Sequence, residues 1–426
     1  MKVIADLHIH SKYARAVSPQ MTIPTIAEWA VKKGIELVGT GDFTHPLWFR
    51  EIKNNLEEAE EGVYRPRSGN VRFLLTSEIS CIYSDKGKGR RIHTLICFPK
   101  ISDVEKFNAK LTSLGANLFS DGRPIVGLSL KQIAQTALVV NPKALVIPAH
   151  AWTPWFGIYG ANSGYDSLAE AFGDLTKYIP AVETGLSSDP AMNWKMAELA
   201  GRSIVSFSDA HSPAKIGREA TVFELPKITF ENIKNLNIAY TIEFYPEEGK
   251  YHYTGHRKCG VVYSPLEAKK MGLICPVCGK PLTIGVMGRV EHLATLNIET
   301  KSERDKYGVR WIHPKGQARP PYTMTVPLME ILAEAYGVGV GSRKVTDNCE
   351  LITNNCGSEF KVLLETLLGE IQKIAGEKVA EAIAKVRSGD IFIEPGYDGV
   401  FGKVKVWPHT TEAAEGEPAL SQTSLF

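Results

Sequence analysis

Six short segments of this 426-residue chain carry side chains able to hold divalent cations. "DLHIHS" supplies Asp6, His8 and His10, and "GTGDFTH" supplies Asp42 and His45. "LLTSEIS" adds Glu78, "RRIHTL" adds His93, "VIPAHAW" adds His150, and "VSFSDAH" adds Asp209 and His211. Neutral imidazole and carboxylate are donors for Zn, Mn or Fe, and one carboxylate can bridge two ions. One buried histidine is usually a satisfied core residue, and His-x-His alone reads more readily as a polar strand end. Six of the eleven histidines fall in these segments, each at or just beyond an apolar run, and that concentration argues for a metal centre. Closely spaced ions acidify water and hold the non-bridging oxygens of a phosphoester, so the chemistry expected is phosphoester hydrolysis.

Positioning such a centre requires strands. Apolar runs at 2–6, 35–40, 71–77, 92–98, 144–149, 180–184 and 202–207 read as strands, with helical patterns such as 24–33 and 191–200 between them. Repeated β-α alternation predicts parallel strands in an α/β layout such as a barrel. Functional groups gather at the C-terminal strand ends of such folds, and the polar segments lie there. In a strand alternate residues share a face, which puts Asp6, His8 and His10 together.

The order of these pieces resembles the polymerase and histidinol phosphatase (PHP) family of metal-dependent phosphoesterases, over about residues 1–230. The resemblance implies a distorted β/α barrel with two or three divalent ions (Zn, Mn or Mg). His8, His10, Glu78 and Asp209 would hold one ion. Glu78 would bridge to a second, held by His93 and His150. A third would use His211 with Asp42 and His45. Glu78, Asp209 and His211 would act in catalysis, with Asp6 behind the ligands. Two departures stand out: the second motif is spread as Asp42-Phe43-Thr44-His45, and Lys12–Ala16 supply no ligand where many members have one. Arg15, Arg90 and Arg91 are candidates to neutralise phosphate charge.

A second constellation follows. His256-x2-Cys259 and Cys275-x2-Cys278 are two knuckles with fifteen residues between the inner cysteines, a spacing suited to tetrahedral structural zinc. His252 and His292 are alternatives to His256. Residues 250–320 hold thirteen Lys/Arg against five Asp/Glu, about +8, in a chain whose net charge is +2. A basic zinc module beside a phosphoesterase suits contacts to nucleic-acid backbone.

The phosphoesterase pieces, "GKYHYTGHRKCGV", "CPVCGKPLTIGV" and "EPGYDGVFGKVKV" together closely resemble the endonuclease Q family, over nearly the whole chain. That resemblance implies cutting of double- or single-stranded DNA 5′ to deaminated bases (uracil, hypoxanthine, xanthine) and abasic sites. Telling uracil from cytosine requires the base to leave the helix and enter a pocket. Candidate pocket residues are Trp152, Trp155, Tyr159 and Asn162, with Ser187 and Ser188 on a second strand end. Packing of the barrel rim is the competing reading for the aromatic residues. The Gly-rich "YGVGVGSRKV" lacks a P-loop pattern. At the C-terminus, Gln422 and Leu425 resemble the start of a sliding-clamp (PCNA) peptide.

The expected organisation is 1–235 phosphoesterase barrel, 245–292 zinc module, 293–407 helical and α+β DNA-binding region, and 408–426 flexible tail. Seven cysteines argue against a secreted disulfide framework, and no run spans a bilayer, so a soluble cytoplasmic protein is expected without a membrane partner. Two other functions fit parts of the pattern: a small-molecule phosphatase and a non-catalytic DNA-binding scaffold. The zinc module and the length argue against the first, the occupied ligand positions against the second.

Overall fold

The computed structural model describes residues 1–408. The clamp-like residues Gln422 and Leu425 lie outside the described residues. Seven of the ten strands before residue 206 surround the N-terminal core: β1 (Lys2–Asp6), β2 (Leu37–Gly39), β3 (Arg72–Asp85), β4 (Lys88–Phe98), β5 (Leu145–Pro148), β6 (Ala181–Glu183) and β7 (Ser203–Val205). β1, β2 and β3 run parallel as expected. β3 and β4 do not: they form a long antiparallel hairpin, and β4 pairs antiparallel with β5. The cause is local, since only Lys86 and Gly87 separate β3 from β4, both at positive φ. A turn that short reverses the chain and leaves no room for a crossover helix.

β6 and β7 pair parallel with each other. Single backbone bonds link this pair to the rest: Ala151 N to Glu183 O at 2.9 Å, and His10 N to Ala210 O at 3.0 Å. The seven strands therefore curl into a ring that is continuously laddered on one side only. Alternate residues point inward and make a closed apolar core: Val3 and Ala5 of β1, Leu37 of β2, Leu74 of β3, Leu95 and Cys97 of β4, Leu145 and Ile147 of β5, Ala181 of β6, and Val205 of β7. The other parity, including Val38, Phe73, Ile96, Val146 and Val182, packs outward against helices. This period-two division is what a sheet buried on both faces requires.

The sheet extends beyond the ring. β8 (Ala220–Glu224) pairs antiparallel with β1, and β9 (Ile238–Glu243) pairs with β8. β10 (Thr300–Arg304), β11 (Arg310–Pro314) and β12 (Tyr322–Met324) then continue it, β12 lying parallel to β9. Strands on both sides of the cysteine module thus share one 13-stranded sheet. The module is an excursion between β9 and β10, which follow one another in the chain but are separated in the sheet by β12 and β11.

After residue 327 the chain is helical. The Gly-rich stretch joins the helix Leu328–Tyr336 to Arg343–Cys356, whose Ser342 hydroxyl accepts from Val345 N. Three further helices cover 359–388, with breaks after Leu364 and at Gly376. A small antiparallel pair, Phe392–Glu394 with Lys403–Lys405, closes the described chain. The helical region is fastened to the N-terminal part by a buried ion pair, Lys33 Nζ to the Glu359 carboxylate at 2.9 Å. No helix among the described residues is long and apolar enough to cross a membrane.

Candidate metal centre and nucleic-acid interface

The inward parity that builds the core also builds the site. Glu78 continues the inward face of β3 from Leu74. His93 lies on the inward face of β4 with Leu95. Glu183 ends the inward face of β6 after Ala181. β1 delivers His8 and His10 just beyond its end, the turn after β5 delivers His150, and the turn after β7 delivers Asp209 and His211. Asp42, His150 and Asp209 all have positive φ, a conformation unfavourable for non-glycine residues and concentrated here at one site. Gly41 allows the close approach between the β2 and β1 ends, because a Cβ there would lie 2.3 Å from Ile9 O.

Two donor sets converge. Ligand atoms of His8, His10, Glu78 and Asp209 lie within 4.8 Å of one another, as do those of Glu78, His93 and His150. Glu78 belongs to both. His10 Nε2 is 3.0 Å from Asp209 Oδ1 and 3.4 Å from Glu78 Oε2, while His8 Nε2 is 3.5 Å from Glu78 Oε1. On the other side His93 Nδ1 and His150 Nε2 approach Glu78 Oε1 to 2.8 and 3.0 Å.

These donors fit cations. His8 Nε2, His10 Nε2 and Asp209 Oδ1 are buried without a well-aligned hydrogen bond, the last two facing each other at 3.0 Å, a costly state that a bound ion removes. The opposite ring nitrogens are anchored. His8 Nδ1 lies 3.0 Å from both Glu183 oxygens, and His10 Nδ1 lies 2.9 Å from Asp42 Oδ1. Carboxylates behind histidines in this way fix the ring and its tautomer.

The electrostatics agree. Burial opposes charge on His8 and His10, yet Glu183, Glu78, Asp42 and Asp209 raise both well above the usual histidine range. Burial likewise opposes charge on Glu78, but His93, Arg123 and His8 hold it well below the usual carboxylate range. Asp209 is lowered too, by His211 and His8 against burial. His93 is the exception, where burial outweighs Glu78 and lowers the imidazole to about 3. The pocket thus favours positive charge, which a divalent ion supplies in place of protons.

The proposed third set does not assemble. Asp42 is committed to His10, to Ser11 N at 2.6 Å and to Ser11 Oγ at 2.7 Å. His45 stacks on Tyr13 with ring centroids 4.5 Å apart. His211 sits against His10 at 4.7 Å between ring centroids, and its Nδ1 donates to Asp209 O at 2.7 Å. Asp42 therefore stands behind a ligand histidine, much as Glu183 does. Asp6 braces the Asp209 turn, accepting from Ser208 N at 3.0 Å, Ser208 Oγ at 2.5 Å and Gly217 N at 2.9 Å.

Sequence reasoning missed Arg123. Its guanidinium donates to Glu78 Oε2 at 3.1 Å and is one-fifth exposed, so it reaches the centre from a loop without a motif. Glu183 had a readable signal, an acid directly after the apolar run "AV". Of the three arginines expected to face phosphate, Arg90 instead lies over the Tyr165 ring at 3.8 Å and donates to Gly164 O. Arg15 bonds to Asp121, and Arg91 is exposed on β4.

The expected base pocket divides. Trp152 and Tyr159 are fully buried and pack the core, with Trp152 Nε1 donating to Asn193 Oδ1 and Tyr159 OH to Glu198 Oε1, each at 2.8 Å. Ser188 is buried, its hydroxyl on Thr184 O, and Asn162 is exposed. Packing wins for Trp152 and Tyr159 because both rings point into the shell outside the barrel. Trp155 and Ser187 line a cavity of about 190 Å³ with Thr153, Lys250, Tyr251 and His252. Trp155 and Tyr251 meet edge to face at 5.2 Å. Thr153 Oγ1 bonds His150 Nδ1 at 2.9 Å, so this cavity adjoins the metal centre.

In the cysteine module His256, Cys259, Cys275 and Cys278 converge within 4.8 Å. His256 Nδ1 is 3.4 Å from Cys278 Sγ. Burial would raise the Cys275 thiol, but the Cys278 and Val277 amides and His256 lower it to about 6, the direction a thiolate ligand needs. His252 is instead buried beside the cavity. Arg289 docks the module on the barrel, donating to Tyr159 O at 3.0 Å, Tyr165 O at 3.2 Å and Asp166 Oδ1 at 2.5 Å.

Comparison with known proteins places this arrangement. Residues 327–390 match the family described as the MJ0043 C-terminal domain. The uncharacterized protein MJ0043 of Methanocaldococcus jannaschii is 33% identical over 284 residues, 64% of this chain but only 33% of that longer protein. The uncharacterized protein YqxK of Bacillus subtilis is 31% identical over 95% of this chain and 99% of its own length. The crystal structure of the lesion-specific endonuclease PfuEndoQ from Pyrococcus furiosus is 34% identical, covers 96% of each chain and has a TM-score of 0.80. An endonuclease Q complex with a 27-mer duplex carrying an abasic lesion at the active site is also 34% identical, covering 97% of this chain and 98% of that one, with a TM-score of 0.81. Agreement of sequence and fold over almost the full length shows that this chain belongs to the endonuclease Q family of metal-dependent DNA endonucleases.

Proposed function

We propose that the chain hydrolyses the DNA phosphodiester on the 5′ side of deaminated bases and abasic sites. The observation that carries this reading is the Glu78 carboxylate shared by two buried donor sets in a member of the endonuclease Q family. His8, His10, Glu78 and Asp209 would hold one divalent ion, and Glu78, His93 and His150 a second. When bound, such a pair acidifies water and neutralises charge on a phosphoryl group.

The chain's own groups do the remaining work. Glu183 and Asp42 orient His8 and His10. Arg123 holds Glu78 and offers positive charge to a phosphate oxygen. The bond from His211 Nδ1 to Asp209 O places its hydrogen on Nδ1 and leaves the Nε2 lone pair, and burial lowers this imidazole, so Nε2 can accept a proton from an attacking water. The cavity between Trp155, Ser187 and Tyr251 would receive the extruded base, and His256, Cys259, Cys275 and Cys278 would hold one structural zinc. The cavity supports the DNA reading over a small-molecule phosphatase because both the barrel and the zinc module form its walls.

Incision of a labelled duplex with one uracil or one abasic site, against an undamaged control and a phosphomonoester, tests the reading in Mg, Mn or Zn. Cutting only 5′ to the lesion is expected. Phosphate release without nicking would overturn it. Glu78→Ala should lower incision roughly a thousandfold or more while binding persists. Retained incision in that variant would remove Glu78 from the mechanism.

A further inference from the structure

The loop that bears Asp209 and His211 is braced by a region that supplies no donor to the metal centre. Residues 206–219 join β7 to β8, and Asp6 closes the neck of this loop by accepting from Ser208 N at one end and Gly217 N at the other. Asp209 sits there at a φ of 48°, a costly conformation for a non-glycine residue that persists only when the surroundings hold it. The far end of the loop carries two cations, Lys215 and Arg218. Glu330, on the helix Leu328–Tyr336, meets both: its Oε1 lies 2.7 Å from Lys215 Nζ and 4.0 Å from Arg218 Nη2. Arg218 Nη2 also donates to Glu248 Oε1 at 3.1 Å, and its guanidinium lies over the Phe244 ring at 4.0 Å. A second C-terminal helix reaches the same loop, because a Cβ on Gly217 would stand 3.4 Å from the Phe360 ring.

We infer that the C-terminal helical region sets the position of the Asp209–His211 loop through Glu330, an inference that rests on the proposed ligand set. Glu330 is a positioning residue: its ion pairs are with Lys215 and Arg218, and it acts on the donors through them. The Glu330 side chain is 21% exposed and that of Arg218 14%, so their charges are screened far less than those of an ordinary surface bridge. Burial opposes charge on Glu330, yet Arg218, Lys215 and Lys33 hold it below the usual carboxylate range. The helix that carries it is itself anchored, since Glu359 accepts from Leu328 N and pairs with Lys33. Lys215 and Arg218 flank Gly217, so a shift of their anchor moves the neck that Asp6 closes, and with it the strained Asp209 turn. Glu330 lies within the matched segment 327–390, which thereby takes part in the metal centre without lending it a ligand.

The test uses the full-length protein with Glu330→Gln, which keeps the shape and removes the charge, and Glu330→Asp, which keeps the charge and removes a methylene. Lys215→Gln, at a side chain 43% exposed, and the double variant Lys215→Gln with Glu330→Gln complete a cycle. Affinity for Mn is measured by calorimetry on metal-stripped protein, with urea midpoints as the check on folding. Glu330→Gln should weaken Mn binding about tenfold, the lower end for groups standing behind a ligand, while Glu330→Asp stays near wild type. Lys215→Gln should weaken it by a smaller factor, because Arg218 still holds Glu330. The double variant should lose no more than Glu330→Gln alone, since both act through one contact. Excess Mn should restore most of the incision lost in Glu330→Gln. A greater loss in Glu330→Asp than in Glu330→Gln would assign the residue to packing and overturn the inference. So would wild-type affinity in Glu330→Gln, or additive losses in the cycle. If the wild-type protein binds no Mn, or keeps its affinity in Glu78→Ala, the proposed ligand set fails; if it binds and the Glu330 and Lys215 variants match it, only this inference fails.

Discussion

At the scale of single residues the centre is governed by groups one layer behind the donors. Glu183 and Asp42 are buried carboxylates whose visible role is to hold His8 and His10. Glu183→Gln and Asp42→Asn keep shape but weaken that hold, and each should lower metal affinity about 10–100-fold. Titration calorimetry of metal-stripped protein checks this directly. Affinity unchanged from wild type would mean that the rings are oriented by packing alone. The histidines themselves were legible in the sequence because His-x-His after an apolar run is local. Arg123 was not, since nothing in "SDGRPIV" announces that its guanidinium spans 45 residues of sequence to reach Glu78.

At the scale of elements the strands carry two kinds of burial. β9 ends in Glu243, which is buried with Ser206 Oγ on its Oε1 at 2.5 Å. Burial pushes this carboxyl up to about 8 from an ordinary 4.5, and Asp189 adds to the rise. The folded chain keeps a proton there that the unfolded chain releases. This contribution to stability is complete below about pH 4.5, declines as pH rises, and is gone above about pH 8. Glu243→Gln should therefore flatten the fall in stability between about pH 5 and 8, read from urea midpoints at several pH values. An unchanged slope would place the titration elsewhere. The cysteine module, on the proposed ligand set, depends on a bound ion instead. Cys275→Ser with Cys278→Ser should release zinc, expose 250–290 to limited proteolysis and weaken DNA binding while the barrel stays folded. Unaltered zinc content would refute the ligand set.

At the scale of the whole molecule one sheet, a shared apolar core and the buried Lys33–Glu359 ion pair join the parts. Lys33 leaves the first helix of the barrel to meet Glu359 at the start of a C-terminal helix, both almost inaccessible. Glu359 Oε1 also accepts from Leu328 N at 3.2 Å, so the carboxylate anchors two helices. Lys33→Met strands a buried charge and should cost about 3–5 kcal/mol in denaturant unfolding, and Lys33→Met with Glu359→Leu should recover much of it. A loss under about 1 kcal/mol would show that the helices dock through apolar contacts alone.

The sequence by itself determined the α/β class, the histidine and acid segments at strand ends and the spacing of the cysteine knuckles. Each depends on neighbours in the chain: a period of two or a short motif. The tertiary structure decided the antiparallel β3–β4 hairpin, the single sheet that runs past the zinc module and the division of the aromatic segment between core and cavity. It also decided which acids touch donors and which stand behind them. Those outcomes depend on which strands become neighbours, and a one-residue change of parity sends the same side chain to the opposite face. Trp152 and Trp155 show the difference: three positions apart in one turn-rich loop, one fills the core and the other faces the cavity.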